Sequence, residues 1–122
     1  MASHPVNLTI RFLLELAALA ALGYWGWHQS DGPFRYVLAL GIPLIAAVAW
    51  GSFNVANDPS RSGQAPVPVP GLVRLGLELA LFGFATWGLI DLGLTYWGWM
   101  MGIAVIVHYG VSYDRVQWLI KQ

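Results

Sequence analysis

The sequence predicts an all-α integral membrane protein, a four-helix bundle made of two helical-hairpin repeats, and three observations carry that expectation. Apolar residues make up 57% of the 122-residue chain and charged residues only 10%, against about 45–50% and about 25% in ordinary soluble domains. Punctuation divides the apolar sequence into four stretches of about 20 residues, each about 30 Å of helix and so matched to a hydrocarbon core. No segment alternates polar and apolar residues, so strands are not expected, and four of them would not close a barrel. The length allows one domain, expected to be a single transmembrane domain over residues 1–122. Six basic and six acidic side chains cancel, which leaves no long-range field to recruit nucleic acid. With no cysteine in the chain, disulfides, thiolate metal sites and cysteine nucleophiles are excluded.

The first stretch, about residues 8–27, ends at the turn-rich His28–Pro33 segment. Arg11 followed by Leu13–Leu22 resembles a secretory signal, but Glu15 interrupts the run and three more stretches follow, so it reads as an uncleaved first span. The second, about 34–53, carries Pro43, which frees the carbonyl four residues back and bends a helix. It stops at the longest polar segment, 54–70, which holds Asp58, Arg61 and four of the seven prolines. That segment reads as a stiff surface loop, or as a lid whose Arg61 reaches an anionic ligand. The third stretch, about 71–90, and the fourth, about 94–113, are separated only by Asp91–Gly93. Gly98 and Gly102 allow close helix approach, within the bundle or to another copy.

Four spans place the N-terminus, the 54–70 loop and the C-terminus on one side. That side holds Arg11, Arg61, Arg74, Arg115 and Lys121, and the other only Arg35, so the positive-inside rule predicts cytoplasmic termini. Aromatic belts agree: Tyr24, Trp25, Trp27, Trp87, Tyr96, Trp97 and Trp99 outside; Trp50, Tyr109, Tyr113 and Trp118 inside. The tetrapeptide Tyr-Trp-Gly-Trp falls at outer helix ends twice, at 24–27 and 96–99, and reads as interface anchoring.

Arg11-Phe-Leu-Leu-Glu15-Leu-Ala17 aligns with Arg74-Leu-Gly-Leu-Glu78-Leu-Ala80 at an offset of 63 residues. Two helices per unit imply a pseudo-two-fold axis along the membrane normal. Isolated-helix physics does not explain the Arg/Glu spacing. The favourable i,i+4 order has Glu first, and an Arg in the first turn opposes the helix dipole. One explanation is a charge clamp between the first and third helices, with partners exchanged as Arg11–Glu78 and Arg74–Glu15. The other is a cytoplasm-facing cavity for something polar or protonatable. Trp50, Ser52 and Asn54 end the second stretch at the same depth, and His108, Tyr109, Ser112, Asp114 and Arg115 end the fourth. The candidate cluster is therefore Arg11, Glu15, Trp50, Asn54, Arg74, Glu78, His108 and Tyr109. No metal site is expected, since His4 and His28 lie too far from His108 to pair with it.

Three motifs, Asn7-x-x-x-Arg11-Phe-x-x-Glu15-Leu, Trp50-Gly-x-Phe53 and Arg74-x-x-x-Glu78-Leu-x-x-Phe82, resemble the YrdB-like family of small bacterial membrane proteins over nearly the whole chain. The resemblance implies a four-span protein of the bacterial inner membrane and adds no activity, cofactor or catalytic residue.

Three functional classes follow. The first is a binding or transport module that takes a small cationic or amphiphilic ligand into the Arg/Glu/aromatic cavity. The second is a membrane-embedded acid/base enzyme of isomerase, cyclase or epoxide-hydrolase type acting on a lipophilic substrate. The third is an accessory subunit of a membrane complex. Expected partners are the bilayer, a small amphiphilic ligand and a second copy of the chain.

Overall fold

Pro5 opens the first helix, where its missing N–H is one of the donors a helix start leaves unsatisfied anyway. The structure, a computed structural model, describes residues 5–56 and 65–122. Five helices and one short strand pair follow in order: α1 (Pro5–Trp27), α2 (Phe34–Ser52), β1 (Phe53–Asn54), β2 (Val67–Pro68), α3 (Gly71–Asp91), α4 (Thr95–Val111) and α5 (Tyr113–Ile120). Among the described residues, α1, α2 and α3 are long and apolar enough to cross a membrane. Helix α4 is shorter, at 17 residues.

α1 and α3 form the central pair, with α2 packed on α1 and α4 on α3. Small residues let the central pair approach: Ala18 and Ala85 are fully buried, beside Ala21, Leu22 and Phe82. The two helices run in the same direction, because they are tied at both ends. Arg11 reaches Glu78 near their starts, and the Trp25 indole donates to Asp91 near their ends at 3.0 Å.

Each hairpin is set by local chemistry. The last carbonyls of α1 are covered by side chains: His28 bonds the Tyr24 carbonyl, Gln29 the Trp25 carbonyl and Arg35 the Trp27 carbonyl. Pro43 lies inside α2. The Ala39 carbonyl it frees lies over Gly23, and the Leu38 carbonyl lies over Gly26, where a Cβ would come within 2.6 Å. Helix α3 ends on Gly93 at φ 81°, with the Leu94 N–H returning to the Leu89 carbonyl at 2.9 Å. Only a residue tolerant of the left-handed region makes that turn cheaply. Gly98 is buried against Ile90 and the Thr86 carbonyl, and Gly102 lies near Thr86, so this pair serves the α3–α4 contact within the chain.

Two expectations change. The fourth stretch does not run unbroken to residue 113: α4 stops at Val111 and α5 begins at Tyr113. Ser112 marks the break, donating its N–H to the His108 carbonyl and accepting the Asn7 amide on its hydroxyl at 2.6 Å. Asp114 in the first turn of α5 suits the helix dipole there. Strands were not expected, yet β1 and β2 pair in parallel, Phe53 with Val67 and Asn54 with Pro68. The Asn54 carbonyl accepts the Val69 N–H at 2.9 Å, which draws the two ends of the proline-rich segment together. His4 and the lid reading of Arg61 lie outside the described residues.

Candidate functional site

Glu78 is the hub. It sits two turns into α3 with 0% of its side chain exposed. Burying a carboxylate is tolerated only when it is paired and hydrogen-bonded. Arg74, one turn earlier on the same helix, donates from Nε to Oε2 at 2.8 Å. Tyr109 on α4 donates its hydroxyl to Oε1 at 2.7 Å. Arg115 on α5 adds a bidentate pair, Nη1 to Oε1 at 2.7 Å and Nη2 to Oε2 at 2.8 Å. Arg11 on α1 makes a longer contact to Oε2 at 3.4 Å. A carboxylate offers about four lone-pair sites. Four close donors therefore saturate it, and they come from α3, α4 and α5.

Arg74 is as deeply buried and ties in a fourth element. Its Nη1 donates to the carbonyls of Trp50 and Phe53 at 2.6 and 2.9 Å, which closes the C-terminal end of α2. Its guanidinium lies over the Trp50 ring, 4.4 Å from the centroid, the geometry of a cation–π contact. That face-on placement accounts for Arg74 Nη2, which has no hydrogen-bond partner. Trp50 in turn meets Phe82 edge-on, and Phe82 meets Tyr109.

Of the eight residues proposed from sequence, Arg11, Arg74 and Tyr109 bond Glu78 directly. Trp50 joins through Arg74, and Glu15 through Arg11, which it meets at 3.3 Å with 18% of its side chain exposed. Two stand apart. The Asn54 side chain donates back to the Gly51 carbonyl at 2.7 Å, and its Oδ1 has no partner. His108 is buried edge-on to Tyr109, and its Nδ1 also has no partner. Of the two exchanged pairs expected, Arg11–Glu78 forms; Arg74 turns to Glu78 on its own helix. Arg115, which the sequence places at the depth of the group but outside the candidate cluster, makes the only bidentate contact to Glu78 among the described residues. The Asn7–Ser112 bond beside it was missed.

Three hollows lie between the helices, and each is lined mainly by apolar side chains. One of about 580 Å³ runs between α1 and α4, past Leu14, Ala17, Ala21, Tyr24, Trp97 and Met100. One of about 250 Å³ lies between α2 and α3, beside Ala46, Trp50, Leu77, Ala80 and Phe84. The third, about 410 Å³, lies between α3 and α4. No charged side chain lines any of the three. The expected charged cavity is not among these hollows. Among the described residues, no group of three or more His, Asp or Glu side chains is arranged to hold a metal ion.

Comparison with known proteins gives a family of unknown function. The model described as "Protein of unknown function (DUF2568)" matches residues 9–106, a stretch that contains Arg11, Glu15, Trp50, Arg74 and Glu78 and ends short of Tyr109 and Arg115. The uncharacterized protein YrdB of Bacillus subtilis (strain 168) is 40% identical over 119 residues, covering 98% of this chain and 97% of its own length. No solved structure matches.

Proposed function

This chain belongs to the DUF2568 family, and on that premise we propose that it is a non-catalytic binding module of the bacterial cytoplasmic membrane. Its polar cluster fixes the helices, and its apolar hollows take up the hydrophobic part of an amphiphile. It is a four-span bundle of two hairpins, α1–α2 and α3–α4, with both termini and the 54–70 loop cytoplasmic. The same direction of α1 and α3 supports the repeat. The Asn7–Ser112 bond supports a fourth crossing, since α4 returns to the level at which α1 begins.

One observation carries the functional reading: both oxygens of Glu78 are taken up by the chain's own donors, while none of the hollows described above is lined by a charged side chain. A general acid or base needs an oxygen open to substrate, and a cation-binding carboxylate needs one open to the ligand. Neither oxygen of Glu78 is open. Glu15 is more exposed, and it is the group through which a cation-binding reading would have to work.

The test compares the full chain with Glu15→Gln and Glu78→Gln in detergent, titrated calorimetrically with tetraphenylphosphonium as a lipophilic cation. The proposal expects Glu78→Gln to lower thermal stability and neither change to remove a binding event. A binding event seen in the parent and lost in a folded Glu15→Gln or Glu78→Gln variant restores the charged-site reading.

A further inference from the structure

The hollow between α1 and α4 and the one between α2 and α3 are related by the repeat. At the offset of 63, Leu14 of the first corresponds to Leu77 of the second, Ala17 to Ala80, and Ala21 to Phe84. Leucine and alanine are kept at the first two positions. At the third, the chain fills one groove with its own phenyl ring and leaves a methyl group in the other. The volumes follow, about 250 Å³ against about 580 Å³.

The larger groove has the length and ends of one leaflet. From Leu14 to Tyr24 it follows ten residues of α1, about 15 Å at 1.5 Å per residue, half of a hydrocarbon core about 30 Å thick. At the end towards the α1–α2 loop it is bounded by Tyr24 and Trp97, the residue types that sit at headgroup level. Leu13 and Leu16, next in sequence to the lining Leu14 and Ala17, are exposed on the surface that hydrocarbon must cover if these helices span a membrane. The volume lies within the range of about 300–1,000 Å³ typical of small-molecule sites.

We infer that the α1–α4 groove holds one acyl chain of an outer-leaflet phospholipid, with its ester end at Tyr24 and Trp97 and its terminal methyl near Leu14. This rests on the membrane-binding reading above and names the ligand of that reading. The chain takes the place that Phe84 occupies in the partner groove. Met100 and Met101 on the α4 wall supply flexible thioether side chains that adapt to a mobile hydrocarbon.

The experiment reconstitutes the full chain into vesicles of phosphatidylethanolamine and phosphatidylglycerol doped with a phosphatidylcholine carrying a mid-chain diazirine. After photolysis, adducts are mapped by peptide mass spectrometry. Adducts at Ala17, Ala20, Met100 and Met101 are expected about tenfold above those on the exposed α2 face at Val37, Leu40 and Leu44, which reports ordinary annular lipid. Ala21→Phe copies the partner groove and is expected to cut the groove adducts about tenfold while leaving the α2 adducts unchanged. Ala17→Leu, deeper on the same wall, gives the same readout if Ala21→Phe does not insert. Equal labelling of the groove and α2 in the parent overturns the inference. So does groove labelling that survives both substitutions, or labelling by a diazirine fatty acid but not by the phospholipid. If the protein is instead washed from the vesicles by alkaline carbonate, the membrane reading itself has failed; if it stays and only the groove enrichment is missing, this inference alone has failed.

Discussion

At the residue scale, Glu78 and Glu15 occupy matching places in the sequence and unequal places in the structure. Glu78 is fully buried among three guanidiniums and a phenol, whereas Glu15 keeps 18% of its side chain exposed. Removing one partner of a buried ion pair strands the other charges, so Glu78→Gln is expected to cost about 3–5 kcal/mol. Glu15→Gln is expected to cost no more than about 1 kcal/mol, in keeping with a partly exposed pair. Denaturant unfolding of both variants in one detergent measures the contrast, and equal losses would contradict the hub. Arg115→Lys is expected to lose most of what Arg115→Gln loses, because an ammonium cannot reproduce the two parallel bonds to Oε1 and Oε2. The Arg11, Glu15, Arg74 and Glu78 group was legible because charges inside apolar stretches are rare and costly. Arg115 was not, since it lies 37 positions from Glu78 in a polar tail where basic residues need no explanation. Beyond its depth at the end of the fourth stretch, the signal that could have singled it out was Arg115 and Leu119 sharing a face at an i,i+4 spacing, and both are buried.

At the scale of elements, α5 is held by what the start of α3 lacks. A Cβ on Gly71 would collide with the backbone of Leu119, whereas nothing lies within 4 Å of one on Gly76. The same substitution five positions apart therefore has opposite signs. Gly71→Ala displaces α5 and with it the Arg115–Glu78 pair, while Gly76→Ala gains about 0.5–1 kcal/mol of helix propensity. Since the chain has no cysteine, Leu119→Cys makes a clean reporter. It is expected to be protected from maleimide in the parent and in Gly76→Ala, and labelled in Gly71→Ala. The hairpin turns were readable from His28–Pro33 and Asp91–Gly93 because glycine, proline and short polar residues punctuate locally. The Ser112 break was not, because it depends on Asn7, 105 positions away. The β1–β2 pair was missed for a similar reason: two-residue strands have no periodicity to read, and their register is set by a chain that returns at Val67.

For the whole molecule, the question that length alone leaves is whether α4 crosses the bilayer. Its 17 residues make about 25 Å of helix, against a core of about 30 Å. An apolar flank helps at its start, where Leu94 precedes Thr95. Connectivity gives the stronger argument. α1 and α3 are parallel, tied by Arg11–Glu78 at one end and Trp25–Asp91 at the other. Ser112, at the end of α4, is bonded to Asn7 at the start of α1. A helix that leaves the Trp25–Asp91 level at Thr95 and reaches the Asn7 level by Ser112 supports the proposed fourth crossing. Single cysteines test the resulting topology in intact cells with a membrane-impermeant maleimide. Ser30→Cys, in the α1–α2 loop, is expected to be labelled from outside, and Ala56→Cys and Gln122→Cys only after lysis. Labelling of Gln122→Cys but not Ala56→Cys in intact cells would mean that α4 does not cross. Labelling of Ala56→Cys and Gln122→Cys but not Ser30→Cys would invert the orientation drawn from the basic residues and move the Arg–Glu hub to the opposite leaflet.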